Sequence, residues 1–333
     1  MEEKMNLLIT GGTGFFGRAL IRHLDSYRLT HGRLPFEQVT VLSRSPKKFL
    51  LRHPALANLP WIHWHTGDIA VPESLPQQGR YHYILHGAAD STDVDELTPL
   101  QRYQKIVNGT ENMLNFAIAR GSQRFLLTSS GGAYGPQPPD MVAILETYNG
   151  MPDPLAVSGS YGIAKRQAEH LCALYGQHYR IQTVIARCFS FVGEDLPVNA
   201  HFAIGNFIRD ALQSESITVQ GDGTPLRSYM DQRDLAQWLI TMLLEGQAGQ
   251  AYNVGSDQAV SIRELAHTVR DIIAPHKEVR ILGEPDKSAP RQRYIPCIEK
   301  AQNELRLKVT VNLHDAIRFA ANTYFLGRPS ACV

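Results

Sequence analysis

Tyr161 and Lys165 stand four residues apart in Tyr161-Gly-Ile-Ala-Lys165, a spacing that puts both side chains on one face of a helix. A lysine ammonium held beside a phenol favours phenolate, so the tyrosine pKa is expected to fall from its ordinary value near ~10 toward neutrality. A tyrosine tuned in this way exchanges a proton with a sugar or alcohol oxygen as general acid or base. Ser130 ends the run Thr128-Ser129-Ser130, 161 − 130 = 31 residues before the tyrosine. Its hydroxyl can donate to the same reacting oxygen, and a loop of that length can bring the helix back beside it. A second motif, Thr10-Gly-Gly-Thr-Gly-Phe-Phe-Gly17, has glycines at 11, 14 and 17 directly after an apolar run. There a dinucleotide pyrophosphate meets a tight turn, close backbone approach and a helix N-terminus. Gly11, Gly14, Phe15, Phe16 and Gly17 are the expected contacts of that turn, and Lys165 is expected to hold the nicotinamide ribose as well as Tyr161.

These residues need a scaffold that delivers them to one edge. Short apolar runs alternate with amphipathic stretches, which predicts strands over 6–10, 38–42, 61–65, 83–86, 124–128, 182–187 and 251–254. Helices are predicted over 14–26, 100–119, 160–175, 204–214, 233–244 and 261–273. This is the α/β pattern of a Rossmann-type, doubly wound parallel sheet. After about residue 190 the alternation breaks into short polar segments, which predicts a smaller C-terminal substrate lobe. The expected division is 1–190 with 226–258 for the dinucleotide-binding domain, and 191–225 with 259–333 for the lobe. Asp231 and Asp234 are expected to cap the helix that follows them.

Composition removes several alternatives. The 333 residues carry 33 basic and 32 acidic side chains, a net charge of +1, which argues against nucleic acid or an anionic membrane as the main partner. No apolar run approaches the roughly 18–20 residues of a membrane span, and the opening Met-Glu-Glu-Lys reads into a buried strand rather than a signal peptide. Cys172, Cys188, Cys297 and Cys332 are scattered and fit no metal spacing. They read as reduced thiols of a cytoplasmic protein, and no metal is expected.

The end of the second predicted strand bears on the cofactor. NAD sites place a carboxylate there for the ribose hydroxyl. Here the chain reads Val41-Leu42-Ser43-Arg44-Ser45. Arg44 can pair a 2′-phosphate with Ser43 beside it, or stand as a solvated loop arginine; NADP is favoured over NAD. Asp68, followed by Ile69, can accept from an adenine amine or cap a local turn. Gly87, Ala88 and Ala89 are small enough for a cofactor ribose to lie against the backbone. His86 before them reads as a packed histidine.

Taken together, the motifs resemble the extended short-chain dehydrogenase/reductase family, in its nucleotide-sugar epimerase, dehydratase, decarboxylase and reductase branch. The resemblance runs from the glycine turn through Ser129-Ser130-Gly-Gly-Ala-Tyr134-Gly135, Tyr161 and Lys165 to Gly221-Asp-Gly-Thr-Pro-Leu-Arg227 and Tyr252-Asn-Val-Gly255. It implies Ser130, Tyr161 and Lys165 as the catalytic groups and Arg227 as a clamp on the substrate diphosphate. Arg291 or Arg293 would assist, and Ser190, Asn206 and Gln220 would contribute further substrate contacts. It also implies a homodimer formed through helices 100–119 and 160–175. Relatives that dehydrate carry Asp-Glu directly after the catalytic hydroxyl residue, whereas this chain has Gly131-Gly132; Ile106 and Ser190 stand where relatives carry asparagine. The expected activity is hydride transfer on a nucleotide-activated sugar. Reduction of an NDP-4-keto-6-deoxysugar with NADPH is preferred to an NAD-dependent epimerase, then to a 4,6-dehydratase or a non-catalytic dinucleotide sensor.

Overall fold

The computed structural model describes residues 5–88, 97–197, 202–286, 288 and 290–326. Its main sheet contains β1 (Asn6–Thr10), β2 (Gln38–Ser43), β3 (Ile62–Thr66), β4 (Tyr83–His86), β5 (Arg124–Ser130) and β6 (Gln182–Cys188), with Ala251–Val254 on the β6 edge. The pairings among β1 to β6 are all parallel. From β1 the strand order runs outward through β2 and β3 on one side and through β4, β5 and β6 on the other. The chain therefore reverses direction of build between β1 and β4, where open α/β sheets form their ligand crevice.

Residue type explains the layering. Leu7, Leu8 and Ile9 are fully buried, the run of apolar residues required by a central parallel strand covered on both faces. One core joins Leu8, Ile84, Phe125 and Leu127 of the strands to Met113 and Leu114 of helix Pro99–Ala119 and to Ala164, Ala168 and Cys172 of helix Ser160–Tyr179. Ile106 belongs to this core. The Pro99–Ala119 helix opens with proline in its first turn and a reciprocal capping box between Thr98 and Gln101. Helix Phe15–His31 runs past the expected end at 26 and closes on Gly32 in the left-handed region, with φ of 72°.

Contacts divide the chain into two compact units, Met1–Gly135 with Met151–Cys188 and Ala236–Tyr252, and Pro136–Gly150 with Phe189–Leu235 and Asn253–Val333. This differs from the expected boundaries, because residues 136–150, 189–190, 226–235 and 253–258 go with the second unit. Side chains distant in sequence make the difference. Asn253 Nδ2 donates to the carbonyls of Ile144 and Cys297, and Ile295 N donates to Gln137 Oε1. The second unit has its own core of Ile204, Phe207, Ile208, Ile217, Leu265, Val269 and Ile317. Asp231 accepts from Arg233 N at 2.8 Å, as a cap should. Asp234 does not cap: its carboxylate takes the amides of Thr310 and Val311 at 2.9 and 3.0 Å, fastening a loop that sequence proximity could not reveal. Among the described residues no helix is long and apolar enough to cross a membrane.

Gly17 shows how closely the first turn is packed. A Cβ there would lie 2.2 Å from Gly12 Cα and 2.5 Å from the Gly11 carbonyl oxygen, so backbone would have to move. Gly17→Ala is expected to destabilise the fold by about 1–3 kcal/mol, read as a lower urea midpoint. An unchanged midpoint would contradict this packing.

Candidate active site

β5 carries Ser130 at its last position, two residues beyond the expected strand end, opposite Cys188 of β6. The Ser130 Oγ accepts from Gly132 N at 3.0 Å and so opens the short helical turn Gly131–Tyr134. This turn lies against the start of the Ser160–Tyr179 helix, where a Cβ on Gly162 would fall 2.3 Å from the Gly132 carbonyl oxygen. Gly162, next to Tyr161, is therefore what lets the helix approach. Ser130 and Tyr161 are side-chain hydrogen-bond partners, which favours phenolate. Lys165 is buried one turn further along; its Nζ donates to the Thr128 carbonyl at 2.8 Å and lies 5.9 Å from the Tyr161 ring centroid. The three residues singled out in the sequence are thus brought together within one unit.

Their electrostatics differ from expectation. Tyr161 is pushed up to about 12, not down, with burial the largest cause and Cys188 adding to it; Ser130 and Arg102 pull the other way. The Lys165 ammonium points its hydrogen bond at a backbone carbonyl, so it does not offset the desolvation of the phenol. Burial also lowers Lys165 to about 8, against the influence of Cys188 and Glu169, which favour its charge. Glu169 stands one turn beyond Lys165 and holds Arg187 through Nε and Nη2, at 3.1 and 2.7 Å, while Ser129 Oγ donates to the same carboxylate. Arg187 in turn lies over the Tyr134 ring at 4.6 Å. Glu169 was legible as a further i+4 step on the Tyr161 helix face; Arg102 and Cys188 had no local signal, because they come from other elements.

The glycine turn fits a dinucleotide. Gly11 has φ of 73°, and a Cβ there would lie 2.6 Å from the Gly87 carbonyl carbon. Gly14 is the N-cap residue of helix Phe15–His31, which has no side-chain cap and no acidic residue in its first turn, a positive dipole end open to an anion. A Cβ on Gly14 would meet only the Gly11 carbonyl, at 3.4 Å. Phe15 and Phe16 are half-buried, with ring centroids 5.9 Å apart. Ser43 ends β2 and its Oγ accepts from Ser45 N at 3.3 Å, while Arg44 is exposed. Asp68 caps a local turn, accepting from Ala70 N at 2.9 Å. The Ile69 side chain is in the core and its carbonyl accepts from Asn112 at 2.9 Å. Gly87 and Ala88 donate to Thr10 O and Thr10 Oγ1. Ala89 lies outside the described residues.

The second unit gathers the expected arginines. Strand Leu226–Arg227 pairs in parallel with Arg293–Tyr294, and Arg291 Nε donates to the Thr224 carbonyl at 2.6 Å. Arg293 Nε is buried without a hydrogen-bond partner, a state suited to an anion that the two strands would share. Arg227 Nη1 donates to the Leu226 carbonyl at 2.8 Å and its charge opposes the rise that burial imposes on the Tyr229 phenol. Asn206 accepts from Arg209 at 3.2 Å, Gln220 is exposed, and the Ser190 carbonyl accepts from Met230 N. Among the described residues no group of His, Cys, Asp and Glu is placed to hold a metal.

A parallel sheet with a glycine turn at its switch point and a Ser-Tyr-Lys group beside it defines a dinucleotide-dependent oxidoreductase. Residues 7–255 match the NAD dependent epimerase/dehydratase family, and the chain belongs to it. It is 31% identical over 322 residues to UDP-glucuronic acid decarboxylase 3 of Arabidopsis thaliana, covering 95% of this chain and 88% of that one. Among solved structures, RMD of Pseudomonas aeruginosa complexed with NADPH is 26% identical with a TM-score of 0.76, covering 96% of this chain and 99% of that one. A double mutant of a dTDP-glucose 4,6-dehydratase of Streptomyces venezuelae, with NAD and DAU bound, shares the fold at a TM-score of 0.82 and 24% identity, over 96% and 97% of the two chains.

With Lys165 at about 8, the ammonium is present at neutral pH and is lost as pH rises through that value. The kcat/KM of hydride transfer, which reports the free enzyme, is expected to fall on the alkaline side near pH 8. Glu169→Gln removes a charge that favours the ammonium and should move that limb to lower pH. A profile that stays flat in both proteins would refute the assignment.

Proposed function

We propose that this enzyme moves hydride between a nicotinamide cofactor and one oxygen-bearing carbon of a nucleotide-activated sugar, and that its reaction is the reduction of an NDP-4-keto-6-deoxysugar with NADPH. The observation that carries the reading is the group of buried Ser130 and Lys165 with half-buried Tyr161, followed by Gly131 and Gly132, which offer no acid or base for removing a neighbouring hydroxyl. A phenol held near 12 is protonated at working pH, the form that ketone reduction requires. Tyr161 then donates its proton to the carbonyl oxygen, Ser130 hydrogen-bonds that oxygen, and Lys165 holds positive charge beside both as negative charge develops.

The cofactor, when bound, supplies the hydride. Gly11, Gly14, Phe15, Phe16 and Gly17 would hold its pyrophosphate; Asp68, Ile69, Gly87, Ala88 and Ala89 would follow its adenine and riboses. Ser43 and Arg44 would take a 2′-phosphate where an NAD site carries a carboxylate, a choice in keeping with the NADPH bound to the Pseudomonas relative. On the substrate side, Arg227 with Arg291 or Arg293 would pair the diphosphate through bidentate, charge-assisted bonds. Ser190, Asn206 and Gln220 would contact the rest of the nucleotide sugar.

A second reading is favoured by the similarity to the Arabidopsis decarboxylase: a retained NAD that oxidises and then re-reduces the same sugar, with epimerisation or loss of carboxylate between. Mass spectrometry of the purified protein, followed by incubation with NADPH and an NDP-4-keto-6-deoxysugar, separates the two. Equimolar NADPH oxidation supports the reductase; tightly held NAD without net redox change supports the alternative and overturns it.

Tyr161→Phe should lower turnover by about 10²–10⁴-fold while dinucleotide affinity stays near wild type; comparable turnover would remove Tyr161 as the proton donor. Arg44→Asp should weaken NADPH by roughly 10–100-fold and NADH little, and equal effects on both would remove the phosphate role.

A further inference from the structure

Beneath the two glycine-bearing turns lies a buried polar chain that the proton transfer does not use. His86, at the end of β4, is 2% exposed. Its Nδ1 lies 2.8 Å from Thr10 Oγ1 on β1, and its Nε2 lies 3.4 Å from Thr110 Oγ1 on the Pro99–Ala119 helix. The Thr110 hydroxyl donates to the Ile106 carbonyl at 2.8 Å, so toward the ring it can only accept. Nε2 therefore carries the proton, Nδ1 is the acceptor, and the Thr10 hydroxyl donates to it. This orientation leaves the lone pairs of Thr10 Oγ1 facing Ala88 N, which donates at 3.1 Å, beside Gly87 N donating to Thr10 O at 3.2 Å.

The two turns touch at this place through backbone alone. A Cβ on Gly11 would lie 2.6 Å from the Gly87 carbonyl carbon and 2.8 Å from Ala88 N. On the other side, Thr128 Oγ1 donates to the His86 carbonyl at 3.1 Å, and the Thr128 carbonyl receives Lys165 Nζ. Burial, with the Lys165 charge adding to it, lowers His86 to about 3, so the ring stays neutral and the chain keeps one direction.

We propose that His86 is a positioning residue of the dinucleotide site: by orienting the Thr10 hydroxyl it locks the Ala88 amide, and so sets how the turn after β4 stands against the glycine turn after β1. The proposal rests on the reading of these two turns as the cofactor site. A structural histidine would only add stability; this one sets cofactor affinity through a single acceptor atom, Nδ1.

Two substitutions separate the ring's two bonds. In His86→Asn the amide oxygen replaces Nδ1 as acceptor, whereas in His86→Gln the amide nitrogen replaces Nε2 as donor. Dissociation constants for NAD and NADPH, measured by calorimetry alongside thermal midpoints, are the readout. His86→Gln and Thr10→Val should each weaken binding about tenfold, His86→Asn by less than about threefold, and the Thr10→Val/His86→Gln pair no more than either alone. Equal losses in the Asn and Gln variants, additive losses in the pair, or losses that simply follow the thermal midpoint would overturn the proposal. A wild-type protein that binds neither dinucleotide would overturn the cofactor site itself, and the proposal with it.

Discussion

Lys165 carries a primary ammonium at 3% exposure, and an ammonium taken out of water must be met by acceptors or give up its proton. Much of the site is arranged around that demand. The Thr128 carbonyl accepts from it, which requires the Ser160–Tyr179 helix to lie close on the end of β5. Gly162 against Gly132 permits the approach. Glu169, one turn on, favours the ammonium and is itself held by Arg187 and Ser129. Because Ser129 and Arg187 pair on neighbouring strands, a single carboxylate ties the helix to both β5 and β6 next to Ser130.

The same close packing governs the proton donor. Burial that helps to order Tyr161 also makes its phenolate expensive, and the lysine charge does not reverse this while its hydrogen bond is directed at Thr128. The phenol is left as an acid. Together with the missing carboxylates at 131 and 132, that is the basis of the proposed reduction, in which one proton and one hydride arrive at a single carbonyl. The His86 network extends the constraint from the lysine toward the two glycine-bearing turns, since Thr128 bonds to Lys165 with its carbonyl and to His86 with its hydroxyl. Thr128 of β5 is thus shared between the Lys165 and His86 networks.

Local features of the chain were readable where they depend on local physics. The strands at 6–10, 83–86 and 251–254 have the expected limits, because short apolar runs bounded by glycine or turn residues have few alternatives. Helix Phe15–His31 outran its prediction because its last turn is sustained by contacts such as the stacking of Tyr27 on His31 rather than by the apolar stripe. The parts that were not readable involve partners far apart in sequence. Asp234 looked like a cap and instead fastens residues 310–311. The segment 136–150 is expected in the first domain and belongs to the second unit, through Gln137, Ile144 and Glu146 meeting residues 253 and 295–297.

Residue type and spacing alone determined the class of protein: a parallel α/β sheet, a glycine turn shaped for a pyrophosphate, and a tyrosine and lysine one turn apart on a helix. Those inferences hold because backbone sterics and helical periodicity act within a few residues. The tertiary structure decided the protonation states. Whether Tyr161 stands as phenol or phenolate, and whether His86 carries a charge, depends on how much water the neighbouring elements exclude and on where the Lys165 hydrogen bond points. Desolvation is a property of the assembled fold, and no spacing in the chain encodes it.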